Sequence, residues 1–268
     1  MTGLSRQNYY QQRRLRCRQA VDEELVLRLV RQERQRQPRL GTRKLLHLIG
    51  PELQTAGVSL GRDRFMAVLR RADLLLERSR RTTRTTWSGH GFAIYSNLAK
   101  EMTLSGPHEL LVSDITYIRT MEGFMYVSLV MDAFSRKIVG YDCSDSLEMQ
   151  GALRALAMAL EPLPVGTRVT HHSDRGIQYC CGPYIEQLKQ AGLRISMTQE
   201  NHCYENSQAE RLNGILKQEY GLGNTFASKE LVASAVSQAV VLYNQYRPHT
   251  ALGYRVPEQV HEGGSLAA

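Results

Sequence analysis

The sequence predicts a mixed α/β domain preceded by a basic, all-helical module. Three observations carry this. Apolar residues recur at helical spacing up to about residue 75 and then, from residue 107, in strand-like runs. Charge is divided unequally along the chain. A polar, Gly-containing stretch lies between the two regions. The chain has 268 residues, with 34 Lys+Arg against 26 Asp+Glu and a net charge of +8. Residues 1–86 hold 20 Lys+Arg and 8 Asp+Glu, a net of +12, and the remainder carries −4. A 42% hydrophobic content can build a buried core and excludes general disorder. No run approaches the roughly 20 apolar residues that a membrane span needs. Residues 1–20 are rich in Arg and Gln without an apolar stretch, unlike a secretory signal. Five cysteines with no C-x-x-C pair indicate neither a disulfide framework nor a zinc ribbon, and fit a reducing, cytoplasmic setting.

Residues 21–35 read as the first helix. Val21, Leu25, Leu29 and Val30 share one side, and Asp22, Glu23 and Glu24 fill the first turn, where they complement the helix dipole. A second helix follows Gly41-Thr42, apolar at Leu45, Leu46, Leu48, Ile49 and Leu53, and Gly57 ends it. A third runs from about Gly61 to Asp73, with Phe65, Val68 and Leu69 inward and Arg62, Arg64, Arg70 and Arg71 outward. Two short helices about a Gly-containing turn, the second bearing arginines, outline a helix-turn-helix, an outline shared by any small three-helix domain. Arg forks match phosphate oxygens, so the basic half points to a polyanion; a solvated helical surface is the alternative.

Residues 76–106 are polar and low in apolar content and read as a linker or extended arm. Leu110–Ile118, Met125–Met131 and Lys137–Tyr141 are apolar, β-branched runs separated by turn signals at Glu122-Gly123 and Ser135-Arg136, which allow an antiparallel meander. A helix over about 147–160, a strand over 168–172, a helix over 179–191 and a strand over 194–197 follow. Helices over 206–220 and about 229–246 close the chain. This order predicts a five-stranded mixed sheet, antiparallel first and parallel later. The domain limits are then 1–78 for the basic helical module, 79–106 for the linker, 107–225 for the α/β core, and 226–268 for a C-terminal helix and tail completing it.

Three acids stand out by context. Asp114 lies within an apolar strand, where a carboxylate is costly to bury unless paired or bound to a cation. Asp174 falls at the end of the fourth strand, and ligands bind near such strand tips in α/β sheets. Glu210 lies on a helix, where Asn206, Glu210, Asn213 and Lys217 fall within an arc of about 60° beside an apolar one. Two strand acids and a helix acid form an oxygen-rich set suited to magnesium or manganese. Taken singly, Asp174 also suits a turn and Glu210 a solvated surface.

The spacing Asp114, 59 residues, Asp174, 35 residues, Glu210 resembles the D…D-35-E signature of retroviral integrases and bacterial insertion-sequence transposases. Ser113-Asp114-Ile115-Thr116-Tyr117-Ile118 resembles the first-acid strand of the insertion-sequence family numbered three. His172-Ser173-Asp174-Arg175-Gly176-Ile177-Gln178-Tyr179 resembles its second block. Asn206-Ser207-Gln208-Ala209-Glu210 with Leu216-Lys217-Gln218-Glu219 resembles its third. Tyr243-Asn244, Arg247-Pro248-His249 and Ala251-Leu252-Gly253-Tyr254 are similar to its closing motif, so the resemblance covers nearly the whole chain.

The resemblance implies a ribonuclease-H-like integrase core preceded by a helix-turn-helix-like DNA-binding domain. It implies that Asp114, Asp174 and Glu210 bind two divalent ions, Mg2+ or Mn2+, and catalyse DNA strand cleavage and strand transfer. Lys217 stands two helical turns after Glu210, where relatives place a basic residue that contacts DNA near the cut. Arg62, Arg64, Arg70 and Arg71 are further candidate DNA contacts. Arg175 suits either DNA or a neighbouring acid, and His172 suits either the second acid, a phosphate or simple packing. The partners implied are element-end and target DNA, an upstream-frame protein joined by frameshift fusion, and further copies of the chain on DNA. The implied location is the bacterial cytoplasm, at the nucleoid. Two positions depart from the family pattern: Leu111 stands where a Trp is usual, and Glu205-Asn206 where Asp-Asn is usual; neither removes an expected ligand. No heptad zipper is present, because the apolar run near Leu25–Val30 lasts only a few turns. A catalytically silent or domesticated DNA-binding protein is the alternative, and a nuclease acting on RNA–DNA hybrids a third reading that leaves the 35-residue spacing and Tyr243–Tyr254 unexplained.

Overall fold

The computed structural model describes residues 6–76, 92–163, 166–199 and 206–263. The chain divides into two compact units, residues 1–79 and 80–268. The first is built from α1 (Arg6–Arg36), α2 (Thr42–Thr55) and α3 (Arg62–Arg71). Val26, Leu29 and Val30 of α1 pack with Leu45, Ile49 and Leu53 of α2 and Phe65, Val68 and Leu69 of α3. Helix α2 ends where Gly57 adopts φ +70°, a left-handed conformation that costs glycine little. The first helix starts at Arg6 rather than near Val21. Its added turns are Gln- and Arg-rich, so they favour helix by propensity without an apolar stripe to announce it.

The second unit contains a five-stranded sheet in the order β3-β2-β1-β4-β5, from β1 (Leu110–Thr120), β2 (Gly123–Asp132), β3 (Ile138–Ser144), β4 (Thr170–Ser173) and β5 (Arg194–Met197). The first three strands pair antiparallel, and β1/β4 and β4/β5 pair parallel. Helix α4 (Met149–Leu160) covers one face through Ala152, Ala155, Leu156 and Ala159, packed with Leu111 and Val130. Its approach to β3 is so close that a Cβ on Gly140 would stand 2.0 Å from the Ala155 carbonyl. The other face is covered by α7 (Ser207–Glu219) and α8 (Lys229–Gln245), whose Leu212, Leu216, Val232 and Val236 meet Val112, Ile118, Val127 and Leu129.

Between β4 and β5 the predicted single helix is two, α5 (Ile177–Cys180) and α6 (Gly182–Gln190). In a continuous helix Pro183 could not donate an N–H and its ring would clash with the Tyr179 carbonyl, so the chain extends at Cys181 and restarts with Pro in the first turn. A short α9 (Pro257–Gly263), absent from the sequence reading, follows α8. Part of the stretch read as an extended arm belongs to this unit: the Leu98 and Ala99 N–H groups donate to Ser196 Oγ, and Met102 and Leu104 pack on the core. Its portion over 77–91 lies outside the described residues. No helix among the described residues is long and apolar enough to cross a membrane. Cys143, Cys180 and Cys181 are free thiols, and Cys203 lies outside the described residues.

Candidate active site

Parallel pairing of β1 with β4 ends at Ser113 opposite Ser173. Asp114 and Asp174 are the next residues on the two chains, so their carboxylates leave neighbouring strands side by side, with backbones about 4.8 Å apart. Strand β1 continues past this point against β2, with Asp114 opposite Leu129. The β4 chain instead turns: the Gly176 N–H donates to Asp174 Oδ1 at 2.9 Å. A Cβ on Gly176 would stand 3.0 Å from that same oxygen, so glycine leaves the carboxylate its place.

Helix α7 brings the third acid. Ala209, Leu212 and Leu216 are buried, which turns Glu210 to the exposed flank. Two amides, one just before the helix and one within it, hold it on β1 beside Asp114: Asn206 Nδ2 donates to the Ser113 carbonyl at 3.0 Å, and Asn213 Nδ2 to Asp114 Oδ2 at 2.7 Å. The other Asp114 oxygen accepts from the Ile115 N–H at 2.9 Å. Burial, then repulsion from Asp174 and also Glu210, pushes the Asp114 carboxyl up to about 7, although the Ile115 and Asn213 hydrogen bonds pull the other way. Asp174 and Glu210 are therefore both near enough for their charges to act on Asp114.

Behind the pair, Ser113 Oγ and the Tyr184 hydroxyl share His171 Nε2, at 2.8 and 3.0 Å. Burial, helped by the neighbouring His172, lowers the His171 pKa to about 3 and keeps it neutral. His172 is only 1% exposed, and its Nδ1 lies 2.8 Å from Ser196 Oγ. Its ring thus ties β4 to β5 under the site. Arg175 donates through Nε to the Thr198 carbonyl at 2.5 Å. Lys217 is half-buried with its Nζ 4.4 Å from the Tyr117 ring centroid; burial lowers its pKa, opposed by the Asp114 charge. In the helical unit, Arg62, Arg64, Arg70 and Arg71 are all exposed on α3, with Arg62 against Asp63 and Arg71 against Glu23.

A cleft of about 460 Å³ opens over the two aspartates and runs along the β1–β2 hairpin. Sequence reasoning missed both its aromatic lining, from Tyr117, Phe124 and Tyr126, and the role of Asn213 as a donor to Asp114. Strand alternation carried a signal for the first, because Tyr117 and Tyr126 are cross-strand partners. The shared helical arc with Glu210 carried one for the second.

Among the described residues no three His, Cys, Asp or Glu side chains stand close enough to enclose a metal ion as they are. The donor chemistry nonetheless fits a hard divalent cation: two adjacent aspartates and a nearby glutamate, all oxygen donors, with mutual repulsion that a cation would relieve.

Two family models describing an integrase core domain match the chain, at residues 105–203 and 191–257. The chain is 31% identical over 264 residues to the insertion element IS600 uncharacterized 31 kDa protein of Shigella sonnei, covering 97% of this chain and 96% of that protein. It is 36% identical over 210 residues to transposase InsF for insertion sequence IS3A of Escherichia coli K12, covering 78% and 73%. Among solved structures, a simian T-cell lymphotropic virus intasome in complex with PP2A regulatory subunit B56 gamma is similar at a TM-score of 0.53 and 17% identity, over 85% of this chain and 73% of that one. At that identity the likeness shows a shared ribonuclease-H-like fold.

Proposed function

The chain belongs to the IS3 family of insertion-sequence transposases with an integrase core, and from that premise we propose that Asp114, Asp174 and Glu210 are its catalytic acids. As a DDE transposase it is a polynucleotidyl transferase, cutting and joining DNA strands. The single observation that carries the site assignment is the meeting of Asp114 and Asp174 where the parallel pairing of β1 with β4 ends, with Glu210 near enough to add its repulsion.

In this reading the three carboxylates hold two divalent ions, Mg2+ or Mn2+. Bound there, such ions supply a more acidic attacking hydroxyl and charge stabilisation at the leaving oxygen of an in-line phosphoryl displacement. The chain's own groups do the rest. The Asn213 amide and Ile115 N–H fix the direction of the Asp114 carboxylate. Lys217, held beside Tyr117 on the same helix as Glu210, meets the phosphate near the cut. Arg175 stands next to Asp174 and reaches the same strand. In the first unit, Arg62, Arg64, Arg70 and Arg71 hold backbone phosphates of the element's terminal inverted repeats, while target DNA enters at the acids. Several copies act together on DNA, and the upstream-frame protein is supplied by frameshift fusion, in the cytoplasm at the nucleoid.

The test is metal-dependent nicking of DNA carrying the element's terminal repeats. Asp174→Asn, which keeps the side-chain volume and the acceptor facing Gly176, abolishes nicking while leaving DNA affinity within about twofold, a gap too small to reflect a lost contact. Undiminished nicking by that variant removes Asp174 from the site.

A further inference from the structure

We propose that the cleft along the β1–β2 hairpin takes one unstacked nucleobase of the strand being cut, next to the scissile phosphate. The proposal rests on the transposase reading of the same site and deepens it. The cleft begins at Asp114 and Asp174 and continues over Tyr117, Arg119, Phe124 and Tyr126. Whatever fills it is therefore continuous with the phosphate at the acids. Tyr117 lies opposite Tyr126, and Arg119 opposite Phe124, so the four side chains share one face of the hairpin. Leu147 and Ile177 also line it.

This lining is unlike an ordinary polar surface. Phe124, Leu147 and Ile177 are 42%, 47% and 48% exposed, large apolar groups grouped beside two acids. An exposed apolar patch with a charged margin marks a ligand groove. The charge pattern selects the ligand. Within the lining the Arg119 guanidinium lies 5.8 Å from the Phe124 ring centroid, and outside it Lys217 Nζ lies 4.4 Å from that of Tyr117. Cations beside ring faces match a ligand with a flat apolar body between anionic groups, which is a nucleotide unit within a strand. At about 460 Å³ the cleft has room for a base with its sugar. Sequence-tolerant stacking on aromatic rings is a general way to hold such a base, and extrusion from the duplex brings it within reach.

The experiment uses the full chain and duplexes of the element's ends carrying 5-iodouracil at single positions on either side of the cut. Irradiation without added metal is expected to cross-link one or two of these positions to Tyr117, Phe124 or Tyr126, as mapped by mass spectrometry. Phe124→Ala, at a position already half-exposed, is expected to lower that cross-link and the nicking rate on intact ends by about tenfold, the weight of one lost base stack. On ends with an abasic site at the cross-linking position, Phe124→Ala and the unaltered chain are expected to nick equally. Cross-links that map only elsewhere overturn the proposal, as does an equal loss on abasic and intact ends, which would mean that Phe124 only supports the hairpin. Because the cross-links are formed without metal, they decide the cleft even where the unaltered chain makes no cut. That latter result would count against the catalytic reading instead.

Discussion

Asp114 shows how burial and anchoring together set the state of one side chain. It is held above the usual carboxylate range by burial and by two neighbouring acids, yet its oxygens are anchored by one backbone N–H and one amide. Its place in an apolar strand made it conspicuous in the sequence, because charge there demands a partner. The anchoring amide was less legible: Asn213 shares an arc with Glu210, but nothing in a single sequence says which strand residue that arc meets. His171 was less legible still, since its neutrality is a product of burial against Tyr184 and Ser113. It gives a clear pH expectation. The folded pKa, about 3, lies below the unfolded value of roughly 6.5, so the unfolded chain takes up a proton first. Stability is intact above about pH 6.5 and falls as pH drops below it towards 3, by up to about 1.4 kcal/mol per pH unit from this group. Chemical denaturation at pH 7 and pH 5 checks this: His171→Gln is expected to show a shallower loss than the unaltered chain. Equal losses would mean that His171 is protonated inside the fold.

At the scale of elements, the closing segment acts as a brace for those around the three acids. Asn244 of α8 brackets Ile138 on the edge strand β3, accepting from its N–H and donating to its carbonyl, both at 2.9 Å. This satisfies the edge next to the irregular pairing at Val130/Met131. Arg247, just beyond α8, donates twice to Glu219 at the end of α7, at 2.8 and 2.7 Å. The helix that carries Glu210 is thereby fixed at its far end by a planar, bidentate contact. These contacts give the Tyr243–Tyr254 motif a structural purpose that its sequence alone did not state. Asn244→Ala leaves two buried backbone groups without partners and is expected to destabilise the second unit by about 1–3 kcal/mol, read as a lower urea midpoint. Most elements were legible from apolar period and turn residues. The exceptions have physical causes: the start of α1 has no apolar stripe, α5 and α6 are split by Pro183, and α9 is too short for its period to register.

On the scale of the whole molecule, charge and chemistry are segregated. The net of +12 falls on residues 1–86 and the net of −4 on the rest, so the acids proposed to hold metal are kept apart in sequence from the arginines proposed to meet phosphate. DNA affinity of the full chain is accordingly expected to fall steeply with salt, and Arg64→Ala with Arg70→Ala to lower the log–log slope by about 2, one for each lost phosphate contact. An unchanged slope would leave α3 a solvated surface. The central claim, that a cation sits on Asp174 while the strand is cut, is tested most directly by Asp174→Cys. Thiolate is a poor ligand for Mg2+ and a better one for softer divalent ions. Nicking of element ends by this variant is expected to be lost in Mg2+ and partly restored in Mn2+; undiminished nicking in Mg2+ would mean that no cation sits on Asp174.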